Sequence, residues 1–458
     1  MEKKLILDVN ENPTKIRHWI LFALQHVLAM FVACITVPML TGIPVDATIF
    51  ASGIGTLFYI FATKRKSPVF LSSSFAYIAP IISALALGNA VNKNFLAVMI
   101  GMGIVGLIYV IIALIVKKVG TEWLNKLLPP IVIGPIIMTI GLSLAGSAVN
   151  NLTGVTSSMT GGTYNLIHIL CGLVAMIVTC LCARFGKSTI KMIPFVIGMS
   201  SGYIVALIFT LIGMATKVDY IKVIDFSPII NNFKDLSISS FISFPDFIFL
   251  KDLSAFDISQ LPEIILLFAP VALVTICEHI GDHLNLGNII DKNLLKDPGL
   301  TRTLIGDGVA TSISGILSGA ANTTYGENVA VIGISKVASV NVIIVAACVT
   351  MGLGFITPIM CLVETIPSCV TGGVSLILYG FIAGSGVKIL VRNRINLEST
   401  KNILVLSVML ISGIGGLTIM IPVANVTLTI TSIAVSMILG VILNQILPDE
   451  KVAQETEE

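Results

Sequence analysis

Apolar stretches long enough to cross a hydrocarbon core recur along almost the whole chain. They constrain the fold more than any other feature, because lipid obliges every backbone polar group to find its partner within the protein. A crossing helix takes about 20 residues. Read against breakers and charges, the runs give spans near 18–40, 46–63, 70–88, 94–116, 129–149, 164–183 and 192–215. Beyond a mixed stretch at 216–260 they resume near 261–283, 302–318, 320–338, 341–363, 367–387, 400–421 and 427–446. Only 11% of the residues are charged, against roughly a quarter in soluble domains. The expectation is an all-α polytopic membrane protein of fourteen transmembrane segments with no sizeable soluble domain.

The basic residues collect in alternate short loops. Lys3, Lys4, Lys15 and Arg17 precede the first span, and Lys64-Arg65-Lys66, Lys117-Lys118, Arg184 to Lys191, Lys292 to Arg302 and Lys388 to Arg394 follow at every second turn. The loops between, Gly42 to Asp46, Gly88 to Asn94 and Asn150 to Thr163, are nearly free of positive charge. By the positive-inside rule the N-terminus (1–17) and the tail (447–458) are cytoplasmic and the protein sits in the cytoplasmic membrane. The polar first 17 residues argue against a cleaved signal peptide. The 216–260 stretch, with Phe and Ile among Asp, Lys and Ser, reads as an external excursion lying partly at the interface. The eight cysteines lack metal-ligand spacing, so neither metal nor cofactor is expected.

The two halves repeat each other. Gln25-His26 matches Glu278-His279, Ser73-Ser74-Phe75-Ala76 matches Thr323-Thr324-Tyr325-Gly326, and Gly101-x-Gly103 matches Gly352-x-Gly354. Pro129, Val132, Gly134 and Ala145-Gly146-Ser147 match Pro367, Val370, Gly372 and Ala383-Gly384-Ser385. Seven spans per half is an odd number, which inverts the second repeat relative to the first, and inverted repeats place a substrate site near the midplane where broken segments meet. The third and tenth spans begin with Phe70-Leu71-Ser72-Ser73-Ser74-Phe75 and Asn322-Thr323-Thr324-Tyr325, compositions that favour extended backbone. Two short facing strands are expected there, each followed by a helix whose N-terminal N–H groups point into the cavity.

Two carboxylates, Glu278 and Glu327, stand in apolar surroundings at matched places, and intramembrane ionisable groups mark function by default. A carboxylate accepting from N–H, beside backbone N–H groups donating to C=O, complements the edge of a cyclic imide. Such a carboxylate can also exchange a proton. Asp282, one turn beyond Glu278, and Asp307 are candidates to support the site or relay protons, as is His279, which mirrors His26. A phosphate-binding loop, a His-Glu-x-x-His run and a nucleophile elbow are all missing. An enzyme is therefore not expected, and nucleic acid is not an expected partner.

The chain resembles the nucleobase/ascorbate transporter family, specifically its bacterial uracil permease branch. The resemblance runs end to end: Leu24-Gln25-His26, Gly53-Ile54-Gly55-Thr56-Leu57, Ser73-Ser74-Phe75-Ala76, Glu278-His279-Ile280-Gly281, Asp297-Pro298-Gly299-Leu300, Asn322-Thr323-Thr324-Tyr325-Gly326-Glu327-Asn328 and Leu378-Tyr379-Gly380. It implies a core domain of spans 1–4 and 8–11 (18–116 and 261–363) and a gate domain of spans 5–7 and 12–14 (129–215 and 367–446). It also implies proton symport, with sodium the alternative coupling ion, elevator-like movement, and a homodimer. By motif match Glu278 and Glu327 hold the pyrimidine, and backbone N–H groups at Phe75 and Gly326, next to Tyr325, meet its carbonyls. Asp282 stands where the uracil branch usually carries His, which is a purine-branch feature, whereas Glu327 in place of Gln favours uracil. A purine symporter is the alternative within the family, and an anion exchanger of the same fold is the alternative outside it.

Overall fold

The computed structural model describes residues 5–87, 93–120, 122–157, 161–186, 190, 193–248, 258–423 and 426–448. The expected loop at 88–92, parts of those at 158–160, 187–189 and 191–192, the stretch 249–257 and the end of the tail lie outside the described residues. The protein is mostly helical. Eight of the described helices are long and apolar enough to cross a membrane, and four shorter apolar helices accompany them.

By contact the chain falls into two compact units. One comprises Met1–Lys118 with Gly146–Ile377, and the other Val119–Ala145 with Leu378–Glu458. The first holds every element of the candidate site: α1 (Ile16–Thr41), α2 (Val45–Ala62), β1 (Leu71–Ser73), α3 (Ile78–Ala86), α4 (Phe95–Val119), α5 (Leu261–Ile290), α6 (Leu300–Ile316), β2 (Asn322–Thr324), α7 (Gly326–Ser335) and α8 (Val340–Leu353). Their helices approach closely where glycine leaves room. A side chain on Gly53 of α2 would stand 2.6 Å from the Ala347 carbonyl of α8, and one on Gly308 of α6 would stand 2.4 Å from Tyr109 Cβ of α4. Gly101 admits the ring of Phe268, on which Tyr77 stacks.

β1 and β2 pair antiparallel, with Leu71 opposite Thr324 and Ser73 opposite Asn322. Three residues cannot satisfy their backbone by pairing alone, and neighbouring helices supply the rest. Ser52 of α2 donates to the Leu71 carbonyl at 2.6 Å, Thr56 accepts from the Leu71 N–H at 3.0 Å, and Thr311 of α6 donates to the Asn322 carbonyl. The hydroxyls thus do for extended backbone at membrane depth what water would do outside it. Beyond each strand the chain turns helical again, through a short turn at Phe75–Tyr77 into α3 and directly into α7.

Several boundaries differ from those read in the sequence. α5 runs to Ile290, a turn and more past 283, and ends at Asp291 in a left-handed conformation. The span near 341–363 is broken into α8 and a helix at Thr357–Glu364, which starts beside Pro358. In the second unit the helix Thr400–Ile414 stops at Gly415-Gly416, and Ile419–Val423 pairs with Val426–Ile430 as an antiparallel hairpin. The alternating, β-branched Val-Thr-Leu-Thr-Ile run and Pro422 explain why that segment is strand rather than helix. The described part of the 216–260 stretch is bound to its own unit. Ser243 N–H donates to the Phe355 carbonyl, Asp246 N–H to Asp46 Oδ2 at 2.8 Å, and Ile248 N–H to Ser318 Oγ at 2.8 Å.

Candidate functional site

α5 presents two adjacent faces. Glu278 and Asp282 are one turn apart on the first, and His279 and His283 are one turn apart on the second. The histidine face is wholly buried. His279 Nδ1 donates to Asp307 Oδ2 of α6 at 2.7 Å, with both side chains fully shielded from solvent. His283 Nδ1 donates to the His279 carbonyl at 2.8 Å, which leaves Nε2 to accept from the Tyr59 hydroxyl of α2 at 2.6 Å. The two imidazole rings stack at 4.0 Å, and Tyr59 also bonds Ser67 at 3.0 Å. These links fix the rotation of α5 against α2 and α6, and that rotation determines where the carboxylates point.

The carboxylate face is different. Glu278 is exposed, Asp282 is half-buried, and Glu327, second residue of α7, is half-buried as well. The charges of Glu327 and Asp307 both act on Glu278. Asp282 faces the start of α7, since a side chain on Gly326 would stand 3.5 Å from Asp282 Oδ1. Thr324, the last residue of β2, is buried beside Asp282 and Asp307. Gly326 opens α7, so its N–H and that of Glu327 have no carbonyl earlier in the helix to meet, while Asn328 and Val329 donate back to the Tyr325 carbonyl at 3.0 and 3.3 Å.

Phe75, in the turn after β1, is 7% exposed, and Tyr325, at the N-cap of α7, is 6% exposed. Of the eight residues expected at the site, Glu278, His279, Asp282, Asp307, Tyr325, Gly326 and Glu327 are brought together on α5, α6 and the β2–α7 junction. Phe75 follows β1, which pairs with β2.

Further residues join them. His26 of α1 donates through Nδ1 to Asn328 Oδ1 at 2.9 Å, both nearly fully buried. Asn322 donates to the Ala51 carbonyl at 2.7 Å. Several buried polar atoms in this neighbourhood, among them Gln25 Oε1, His279 Nε2, Asn322 Oδ1 and Asn328 Nδ2, have no hydrogen-bond partner among the described residues. A buried unpaired polar group costs about 1–3 kcal/mol, so several around one place single it out as the candidate site. The sequence signal for Asn322 and Asn328 was present in their motif. Tyr59 carried none, because its partner lies 224 residues away.

The sequence model of the Permease family matches residues 17–421. The uracil permease of Bacillus caldolyticus is 39% identical over 452 residues, covering 99% of this chain and 97% of that protein. The uracil permease of Bacillus subtilis (strain 168) is 38% identical over 454 residues, covering 99% and 98%. Among solved structures, the transmembrane domain of the cyanobacterial bicarbonate transporter BicA superposes with a TM-score of 0.62 at 14% identity, over 95% of this chain and 99% of that one. At that identity the likeness concerns the fold.

Proposed function

Because the chain belongs to the Permease family, in its bacterial uracil permease branch, we propose that this multi-pass membrane transporter imports uracil by proton symport. The observation that carries the reading is the pair Glu278 and Glu327 at the N-terminus of α7, which no side chain caps. The carboxylates accept the N–H groups of a cyclic imide, and backbone N–H groups at Gly326 and after β1 at Phe75 donate to its carbonyls. Specificity follows from this alternation, since a site built to bond an edge leaves buried groups unpaired when the edge is wrong. Glu327 takes up and releases the coupled proton, with Asp307 and His279 holding the carboxylate face in place.

The transport cycle we infer is alternating access across fourteen segments arranged as inverted repeats, with both termini cytoplasmic. The core of spans 1–4 and 8–11 carries the site, and spans 5–7 and 12–14 form the gate on which a homodimer would be built. Close contacts join some of these spans within each compact unit, one set in the first and one in the second. Gly172 packs on Gly373 and the Cys369 carbonyl, and Gly372 on Leu152; separately, Gly134 and Gly141 pack on the 379–390 stretch. A purine substrate is favoured by one observation, the carboxylate of Asp282 facing Gly326, which offers a second acceptor for a larger ring.

Reconstituted into liposomes with an inward proton gradient, the protein is expected to accumulate labelled uracil, to lose accumulation on addition of a protonophore, and to ignore a sodium gradient. Accumulation that follows sodium, or competition by xanthine but not by uracil, would redirect the reading.

A further inference from the structure

The segment at 5–13 lies outside the substrate residues yet is joined to both helices that carry them. Ile6 and Leu7 donate their N–H groups to the Lys336 carbonyl at 2.7 and 3.3 Å, and Ala338 and Val340 donate back to the carbonyls of Leu7 and Val9 at 2.9 and 3.0 Å. This is a parallel ladder with Leu7 opposite Val337. Lys336 is the left-handed residue that ends α7, so the ladder grips the chain directly after the helix that begins with Gly326-Glu327. The second link runs to α5. Asp8 pairs with Lys292 Nζ at 2.8 Å, two residues beyond the end of that helix. Between the two links Val9, 3% exposed, is buried in the same apolar cluster as Ile332 of α7 and Leu286 and Ile290 of α5.

Terminal segments commonly fray unless something ties them down. Here a backbone ladder, an ion pair and a buried side chain each tie this one to a different part of the site's support. We propose that the segment is a positioning element of the substrate site, a strap that holds the C-terminal end of α7 against that of α5 and so sets how Glu327 is placed relative to Glu278. α7 has 10 residues, a rod of about 15 Å, so a shift at Ser335 is carried to Glu327 with little to absorb it.

The roles of the two glutamates rest on the function proposed above, and the experiment separates the two ideas. Ile6→Pro removes a ladder donor, Asp8→Lys sets two ammonium groups face to face, and Asp8→Lys combined with Lys292→Asp restores the pair in reverse. The readouts are the KM and maximal rate of uracil uptake in proteoliposomes, and amide hydrogen exchange across 326–335 in the purified full chain. Ile6→Pro is expected to raise KM by about fivefold, the equivalent of one net hydrogen bond, with the maximal rate kept and exchange in α7 accelerated. Asp8→Lys should act in the same direction and the reciprocal swap should reverse it. Unchanged exchange in α7, or unchanged KM in a variant whose exchange is accelerated, overturns the strap. If the wild-type protein takes up no uracil, the function reading fails, while exchange in α7 and its rescue by the swap still decide whether the strap holds.

Discussion

A carboxylate and its amide isostere differ at one atom, and Glu278→Gln isolates that atom. The variant replaces an accepting oxygen by a donor, turning one attraction into a clash of N–H groups. Hydrogen bonds to charged groups are worth about 1.5–3 kcal/mol, so affinity for uracil should fall by at least about tenfold in equilibrium binding. Glu327→Gln should damage coupling more than binding: substrate exchange across the membrane persists while accumulation ceases to follow the proton gradient. Asp307 supplies a third test. Asp307→Ala leaves His279 Nδ1 buried without its acceptor, a cost of about 1–3 kcal/mol, and the melting temperature should drop clearly below that of Asp307→Asn, which keeps an acceptor. Equal melting of the two would mean that the 2.7 Å contact does not hold α5. Glu278, Asp282, Asp307 and Glu327 were legible in the sequence because an ionisable residue inside an apolar run has few other reasons to exist. Tyr59 and the His26–Asn328 pair are set by contacts 224 and 302 residues apart, and nothing local announces such distances.

Among the elements, the crossing of α4 and α6 is the most sharply testable. Gly308 follows Asp307 directly, and a side chain there would stand 2.4 Å from Tyr109 Cβ and 3.0 Å from the Gly106 carbonyl. Gly308→Leu must push α6 away from α4 and carry Asp307 with it, lowering both melting temperature and uracil affinity. Gly103→Ala, on α4 with open space around it, is the matched control and should change neither by more than helix propensity dictates. The strap has its own pH signature. Partial burial works to raise the Asp8 carboxyl, but the Lys292 ammonium and the Val9 N–H outweigh it and hold it below the ordinary carboxylate range. A depressed carboxylate contributes its stabilisation above its unfolded value and loses it only as pH falls through the folded one. Exchange in α7, corrected for intrinsic rates, should therefore be level from neutral pH to mild acid. Helix existence was readable from apolar runs, but helix ends were not. The break between α8 and Thr357–Glu364 and the hairpin at 419–430 both fall inside runs that hydropathy alone cannot divide, because an apolar strand and an apolar helix weigh the same on that scale.

At the scale of the whole molecule, the apolar surface and the low charge content allow only a multi-pass membrane protein, and the family relationship makes it a permease. The fold is shared with the bicarbonate transporter domain it superposes on, so the fold does not by itself choose between an anion and a neutral ring. That choice lies with the side chains. The site we propose, bearing the carboxylates of Glu278, Asp282 and Glu327, repels anions and suits a neutral donor-bearing edge. The measurement that tests this most directly is thermal stabilisation of the purified protein by uracil, thymine, xanthine, hypoxanthine and adenine, with Glu278→Gln alongside. A ligand present at 100 times its dissociation constant adds about 2.7 kcal/mol to stability. Uracil is expected to raise the melting temperature of the wild type and to leave Glu278→Gln where it was. A shift by purines alone, or a uracil shift that survives in Glu278→Gln, would contradict the assignment.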